Sequence, residues 1–326
     1  MSAQVLLSVR GLCKHFPIHS RGLFARRLGL LRAVDDVSFD VPRGSTLGIV
    51  GESGCGKTTL ARTILRALDP TAGRVMFRAG DDWLDLAALD HRRLKPLRTR
   101  MQMIFQDPFS SLNPRMTVEQ IVGEPLAIHR LSSGRQRADR VEAMLRKVGL
   151  SSDAMRRYPH EFSGGQRQRI GIARSLVMHP SLVVADEPVS ALDVSVQAQV
   201  INLLSYLQQE LGLTYIFVAH DLGVVRHISD QVAVMYAGRI VELAPAEELF
   251  EDPRHPYTRT LLAAAPTPDP DCRLSVELDP EVADPANLPP HCAFKARCRR
   301  CGESCDGQRP PLAEVSPGHL VACHQA

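Results

Sequence analysis

The stretch "TLGIVGESGCGKTT", residues 46–59, decides how the rest of the chain is read. A short apolar run ends at Val50, glycines recur at 51, 54 and 56, and a helix-like segment opens at Lys57. Gly51, Gly56, Lys57 and Thr58 satisfy G-x-x-x-x-G-K-[ST] in the order strand, loop, helix. Glycines let successive backbone N–H groups converge on phosphate oxygens, and the helix start adds partial positive charge. Lys57 then reaches the β- and γ-phosphates, and the Thr58 hydroxyl ligates Mg²⁺. Glu52, Ser53, Gly54, Cys55 and Thr59 fill out the loop. The stretch predicts a site for a nucleoside triphosphate, ATP or a relative.

Outward from this loop, strands and helices alternate. "VDDVSFDV" (34–41) reads as a half-buried strand, and the helix begun at Lys57 stops at Asp69–Pro70. "RMQMIF" (100–105) is a strand candidate. From about 114 to 160 the pattern turns helical, with Val141, Met144, Leu145 and Val148 at helical spacing before Gly149. The strands "SLVVAD" (181–186), "TYIFVA" (214–219), "QVAVMYA" (231–237) and "RIVEL" (239–243) follow, the first two separated by the helix "SVQAQVINLLSYLQQELG" (195–212). Such alternation predicts an α/β protein with a parallel sheet. The basic stretch "RGLFARRLGLLR" (21–32) reads as a solvated hairpin between two early strands, with contact to anionic lipid or a membrane partner as the alternative. Beyond Asp252 prolines become dense and periodicity fades.

With 326 residues the chain suffices for about two domains. Its 39 basic against 36 acidic residues give +3, too balanced to point to nucleic acid. No uncharged apolar run approaches the ~18–20 residues that cross a bilayer, and the start lacks the pattern of a signal peptide. A cytoplasmic protein is expected, with any membrane role coming through partners. Of the eight cysteines, Cys13 and Cys55 stand alone, and six lie from Cys272 onward. Such a cluster in a cytosolic protein suggests metal binding over disulfides.

Four further positions suit triphosphate chemistry. Asp186, at the end of an apolar strand, is expected to hold Mg²⁺, and Glu187 to orient and deprotonate the attacking water. His220 ends another apolar strand and could contact the γ-phosphate; Gln106, also after a strand, could sense the metal or the water. "FSGGQRQRIGIARSL" (162–176) looks like a second phosphate cradle, small residues leading into a helix, or else a plain helix N-cap. Cys55 is expected mainly to fit the turn; the adjoining helix start should favour thiolate, so that alkylation would inhibit ATP binding and ATP would protect.

These pieces in this order resemble the ATPase subunit of ABC transporters, over Leu6 to about Ala264. The motifs are "GESGCGKTT", "FQDP", "FSGGQRQR", "LVVADEP", "SALD" and "VAHD"; the signature begins with Phe162 where Leu is commoner. The resemblance implies a P-loop ABC ATPase: a RecA-like mixed-sheet core (1–110 and 162–252), a helical subdomain (111–161) and a Cys-rich C-terminal extension (253–326). It also implies a head-to-tail dimer with a second ATPase subunit, a paralogue or another copy. Ser163, Gly164, Gly165 and Gln166 would then hold the γ-phosphate of the ATP on the partner's P-loop. Phe16 would stack on adenine, Asp193 lies in the D-loop, and Thr58, Gln106 and Asp186 would surround Mg²⁺.

Several stretches look specifically like the peptide/nickel importers, the oligopeptide and dipeptide permease branch. They include "MIFQDPFSSLNPRMTVEQIVGEPL", "HDLGVVRHISDQVAVMYAGRIVE" and "HPYTRTLLAAAPTPDP". This resemblance implies two transmembrane permease subunits, an extracytoplasmic solute-binding protein, and a peripheral position at the cytoplasmic face of the inner membrane. The solute would be a peptide or a relative such as nickel or glutathione. Residues 106–116 would line the groove for a permease coupling helix. The tail "HCAFKARCRRCGESC…HLVACH" resembles that branch's Cys-rich end, implying a [4Fe–4S] cluster on Cys292, Cys298, Cys305 and Cys323. Cys301 is then an extra sulfur and Cys272 incidental. Zinc, aided by His291 or His324, and unliganded thiols are the other readings. A soluble ABC ATPase acting on DNA or ribosomes is disfavoured by the single cassette and near-neutral charge. A mainly redox-sensing subunit is a third reading.

Overall fold

A computed structural model describes residues 4–19, 27–107, 111–264 and 286–326. Residues 21–26 of the basic stretch, 108–110 of the expected coupling groove, and Cys272 lie outside them.

The chain begins with strands β1 (Val5–His19), β2 (Arg27–Pro42) and β3 (Thr46–Val50), and then helix α1 (Lys57–Ile64). Strands β4 (Ala72–Ala79) and β5 (Asp82–Asp85) precede α2 (His91–Leu97) and β6 (Met101–Ile104). Next come α3 (Val118–Ile128), α4 (Gly134–Lys147), α5 (Gly164–Leu176), β7 (Leu182–Asp186) and α6 (Val194–Leu211). The remainder is β8 (Thr214–Val218), α7 (Leu222–Ile228), β9 (Gln231–Tyr236), β10 (Arg239–Pro245), α8 (Ala246–Glu251), α9 (Pro256–Ala263), β11 (Ala313–Ser316) and β12 (His319–Val321).

The chain divides into two compact units. One comprises Met1–Leu6, Pro42–Ser45 and Leu89–Phe217. Its strands run in the order β6, β7, β8, with β6 parallel to β7 and Ile104 opposite Ala185. Every residue of β7 and of β8 is buried, which is why both read as continuous apolar runs without alternation. Helices α3 and α4 occupy the segment expected to be helical. Thr117 and Gln120 form a reciprocal capping box that starts α3. Helix α4 buries Val141, Met144 and Leu145, and stops where the Gly149 and Leu150 N–H groups donate back to Arg146 and Leu145.

The other unit comprises Leu7–Val41, Thr46–Ala88 and Val218–Ala326. It carries a sheet of order β2-β1-β4-β5, in which β1/β4 and β4/β5 are antiparallel. Its second run of strands is β11-β12-β10-β9-β3. Here β3 and β9 are parallel, whereas β9/β10, β10/β12 and β11/β12 are antiparallel. The sheet is therefore mixed, as the family resemblance implies, and not parallel throughout as strand–helix alternation alone suggests. Only Ala237 and Gly238 join β9 to β10, both at positive φ (46° and 83°). Two such residues make a hairpin, whereas a parallel crossover needs a dozen or more. Of the expected hairpin at 21–32, residues 28–32 continue β2, the neighbour of β1 in the sheet, and 21–26 lie outside the described residues.

Candidate functional site

The phosphate-type loop grows directly out of β3, all five residues of which are buried. At Gly56 φ is 108°, and a Cβ there would overlap the Ala33 carbonyl oxygen. Only glycine fits this position. Gly56 is the N-cap of α1 and makes no side-chain capping bond there, and the helix start directly follows the loop. Lys57 is 5% exposed, and its ammonium donates to the carbonyls of Gly51 (2.7 Å) and Glu52 (3.0 Å). Loop N–H groups, helix start and buried ammonium together can cradle a polyphosphate. Ser53 and Gly54 form the exposed rim, and Thr58 and Thr59 are half-buried in the first turn of α1.

The Cys55 expectation is corrected. Its side chain is 4% exposed, and burial pushes the thiol up, only partly offset by the Lys57 charge. Desolvation outweighs the helix start here, so the protonated thiol is favoured.

Two other expected residues belong to the same unit as the loop. Phe16 lies half-buried on β1, with the Lys14 ammonium 4.9 Å from its ring centroid. His220 is exposed, one residue before Asp221, whose carboxylate caps α7 by accepting from the Gly223 N–H at 2.8 Å.

Asp186, Glu187, Gln106, the signature residues and Asp193 belong to the first unit. Asp186 ends β7 at 2% exposure. Glu187 follows at φ 48°, a left-handed conformation that costs a non-glycine residue about 1–3 kcal/mol. The turn is held by Ser190, whose N–H and hydroxyl both donate to the Glu187 carbonyl. The Gln106 side-chain amide donates to the Glu187 carboxylate at 2.8 Å. The structure thus brings together the expected base and the expected sensor, 81 positions apart.

Ser163 is the N-cap of α5, and its hydroxyl accepts from the Gln166 N–H while the Gln166 side chain accepts from the Ser163 N–H. A Cβ at Gly165 would overlap Val196 of α6, so that glycine lets the two helices approach. Phe162 is buried beneath the Arg157 guanidinium, 4.3 Å from its ring centroid. At 5% exposure the position suits an apolar side chain, Phe here where Leu is commoner. Asp193 precedes α6 and is exposed, as is Val194 at 81%.

In the tail, Cys292, Cys298 and Cys323 have thiols pushed up, first by burial and then by one another and Cys305. The four expected ligands are therefore electrostatic neighbours, with Cys305 buried and Cys301 exposed. His324 is engaged elsewhere, its ring nitrogen 2.9 Å from the Gln308 carbonyl oxygen.

Sequence reading missed two features. Cys13, His15 and Asp35 bring one ligand atom each within 4.8 Å of one another. Asp35, however, takes a two-pronged hydrogen bond from Arg239 (3.0 and 2.8 Å) and another from Arg309 (3.2 Å). Burial alone would raise its carboxyl, and Arg239, Arg32 and His15 together outweigh that and lower it. The acid is already neutralised, which makes a salt-bridge hub of this group. The second feature is the grip on Glu52: its N–H donates to the Tyr257 hydroxyl at 2.9 Å, and its carboxylate takes two bonds from Arg297, both at 2.9 Å. Partners so far apart in sequence leave no local signal.

The family described as "ABC transporter" matches residues 34–190, a span that runs from β2 through the phosphate-type loop and the signature to Glu187. A dimeric ATP-binding cassette in a post-hydrolysis state, bound to ADP and Pi, superposes with a TM-score of 0.63 at 27% identity, over 74% of this chain and 99% of that one. CbiO1 from Clostridium perfringens, part of an ABC transporter complex, gives 0.63 at 28% identity, over 76% and 92%. The chain is an ABC-type ATPase. A second family, "Oligopeptide/dipeptide transporter, C-terminal region", matches residues 241–305. The "Probable peptide ABC transporter ATP-binding protein y4tS" of Sinorhizobium fredii is 54% identical over 99% of this chain and 90% of its own length. The oligopeptide transport ATP-binding protein AppF of Bacillus subtilis is 50% identical over 98% and 97%. The chain belongs to the ATP-binding subunits of peptide ABC transporters.

Proposed function

We propose that this chain hydrolyses Mg-ATP to energise import of oligopeptides or dipeptides, or a relative such as nickel or glutathione. It does so as a peripheral subunit at the cytoplasmic face of the inner membrane. The observation that carries the reading is full-length identity of about half to an oligopeptide transport ATP-binding protein, tail included. Among the described residues no helix is long and apolar enough to cross a membrane, which fits a subunit that works through two permease partners. An extracytoplasmic solute-binding protein completes the importer. No observation favours nucleic acid as a partner.

In this reading Phe16 stacks on adenine, residues 51–59 cradle the phosphates, and Lys57 neutralises the β- and γ-phosphates. Thr58, Gln106 and Asp186 surround Mg²⁺, Glu187 takes the proton of the attacking water, and His220 contacts the γ-phosphate. The left-handed turn at Glu187 and its bond from Gln106 support these two acting together. Ser163, Gly164, Gly165, Gln166 and Asp193 serve the ATP of the neighbouring subunit. Val194, 81% exposed beside Asp193, suits a surface that a second chain covers. ATP then joins the two subunits, and hydrolysis parts them.

Cys292, Cys298, Cys305 and Cys323 fit a [4Fe–4S] cluster. They are electrostatic neighbours, and the thiols of Cys292, Cys298 and Cys323, raised first by burial, would release protons on ligation. Bound there, the cluster would tie the tail together and supply a one-electron centre.

The test is purification of the tagged chain from membranes with its partners, followed by reconstitution into vesicles. Co-purifying polytopic subunits and ATP-dependent peptide uptake are expected. Salt-sensitive DNA or ribosome association without such subunits would overturn the reading.

A further inference from the structure

Glu52 is an odd residue to find in a loop that binds polyphosphate, because its carboxylate repels the ligand. It is also held at three points. Its carbonyl accepts from Lys57, its N–H donates to the Tyr257 hydroxyl, and its carboxylate receives both arms of Arg297. Arg297 lies at the end of a 3-10 turn (Lys295–Arg297), directly before Cys298. Its side chain is 6% exposed and that of Glu52 is 20% exposed. The guanidinium sits 5.9 Å from the Tyr236 ring centroid and 5.7 Å from that of Phe294. Tyr236, Tyr257 and Phe294 pack edge-on or tilted, with centroids 4.7–5.4 Å apart. The arginine is thus clamped by aromatic walls, and a planar fork so held is a rigid partner for a carboxylate.

We infer that Arg297 is a positioning residue of the ATP site: it fixes the second residue of the phosphate loop and cancels the Glu52 charge. The C-terminal segment is then part of the nucleotide site's scaffold. This rests on the reading of residues 51–59 as the ATP cradle. A bidentate, nearly buried pair leaves an uncompensated carboxylate when its arginine is removed. Arg297→Met should therefore weaken nucleotide binding about tenfold by exposing the loop to that charge. Glu52→Gln in the same chain removes the repulsion, so the double variant should return to within about threefold of wild type. A residue that merely anchored the tail would not be rescued by neutralising a loop carboxylate.

The experiment titrates the purified full-length chain with a fluorescent ATP analogue and Mg²⁺, for Arg297→Met, Arg297→Lys, Glu52→Gln/Arg297→Met and Lys57→Ala, with thermal unfolding alongside. Arg297→Lys keeps the charge and loses the fork, so a loss of about threefold is expected even if the methionine variant does not fold. Rescue in the double variant supports the inference. Unchanged affinity in a folded Arg297→Met protein, or a double variant as weak as the single one, overturns it. Lys57→Ala separates the two claims. If that variant binds normally, the cradle reading itself fails; if it loses binding while Arg297→Met does not, only the role of Arg297 falls.

Discussion

Acid should loosen this protein through one buried histidine. His255 is 1% exposed and caps α9, its Nδ1 accepting from the Tyr257 N–H at 3.0 Å. Its own backbone N–H donates to Glu242 at 3.0 Å. Burial pushes the imidazole down to about 4 from its ordinary 6.5, against a hydrogen bond with the Ala322 backbone. The unfolded chain therefore takes up a proton near pH 6.5, while the folded chain does not until near pH 4. The contribution is complete above pH 6.5 and is lost as the pH falls toward 4. Each unit inside that window costs about 1.36 kcal/mol, so acidifying from pH 7.5 to 5 removes about 2 kcal/mol. In a domain of this size that corresponds to roughly 4–8 °C in Tm.

His255→Asn isolates the effect, because asparagine is a favoured N-cap and carries no titrating proton. Glu242 and His319, which lie 2.8 Å from each other, are present in both proteins and so drop out of the comparison. Thermal unfolding at pH 7.5 and 5 should show wild type losing about 2 kcal/mol more than the variant. Parallel losses in the two proteins would refute the assignment.

Glu187→Gln should retain ATP binding, slow turnover about 10²–10⁴-fold and accumulate an ATP-bound dimer; near-normal hydrolysis would remove Glu187 from the role of base. Maleimide labelling followed by mass spectrometry should modify exposed Cys301 at least about tenfold faster than Cys55, because burial holds the latter thiol protonated. Comparable rates would contradict that account of the loop.

The residues proposed for the ATP site could be picked out because each group of them is contiguous in sequence. Gly51 to Thr58 lie on one strand–loop–helix turn, Asp186 and Glu187 are neighbours, and Ser163 to Gln166 open one helix. Strand direction was less legible. Residues 231–245 read as two more strands of an alternating pattern, and only the two-residue Ala237–Gly238 turn marks them as a hairpin. The tail hid most. Proline-rich spacing gave no periodicity, yet His319, on β12, is fully buried between Glu242 and Glu248. Arg297 reaches Glu52 across 245 positions. Cys55 misled because a helix start and burial act on a thiol in opposite directions, and burial cannot be read from the loop motif alone.

The central claim is that each ATP lies between Lys57 of one chain and Ser163 of its neighbour. Mixed dimers of differently tagged chains, trapped in the Glu187→Gln background, test it by counting ATP retained per dimer. With Lys57→Ala on one chain and Ser163→Arg on the other, one intact pocket remains and one ATP is expected. With both substitutions on a single chain beside an otherwise unaltered partner, none is expected. The reverse pattern, none in the first dimer and one in the second, would mean that each chain builds its pocket alone.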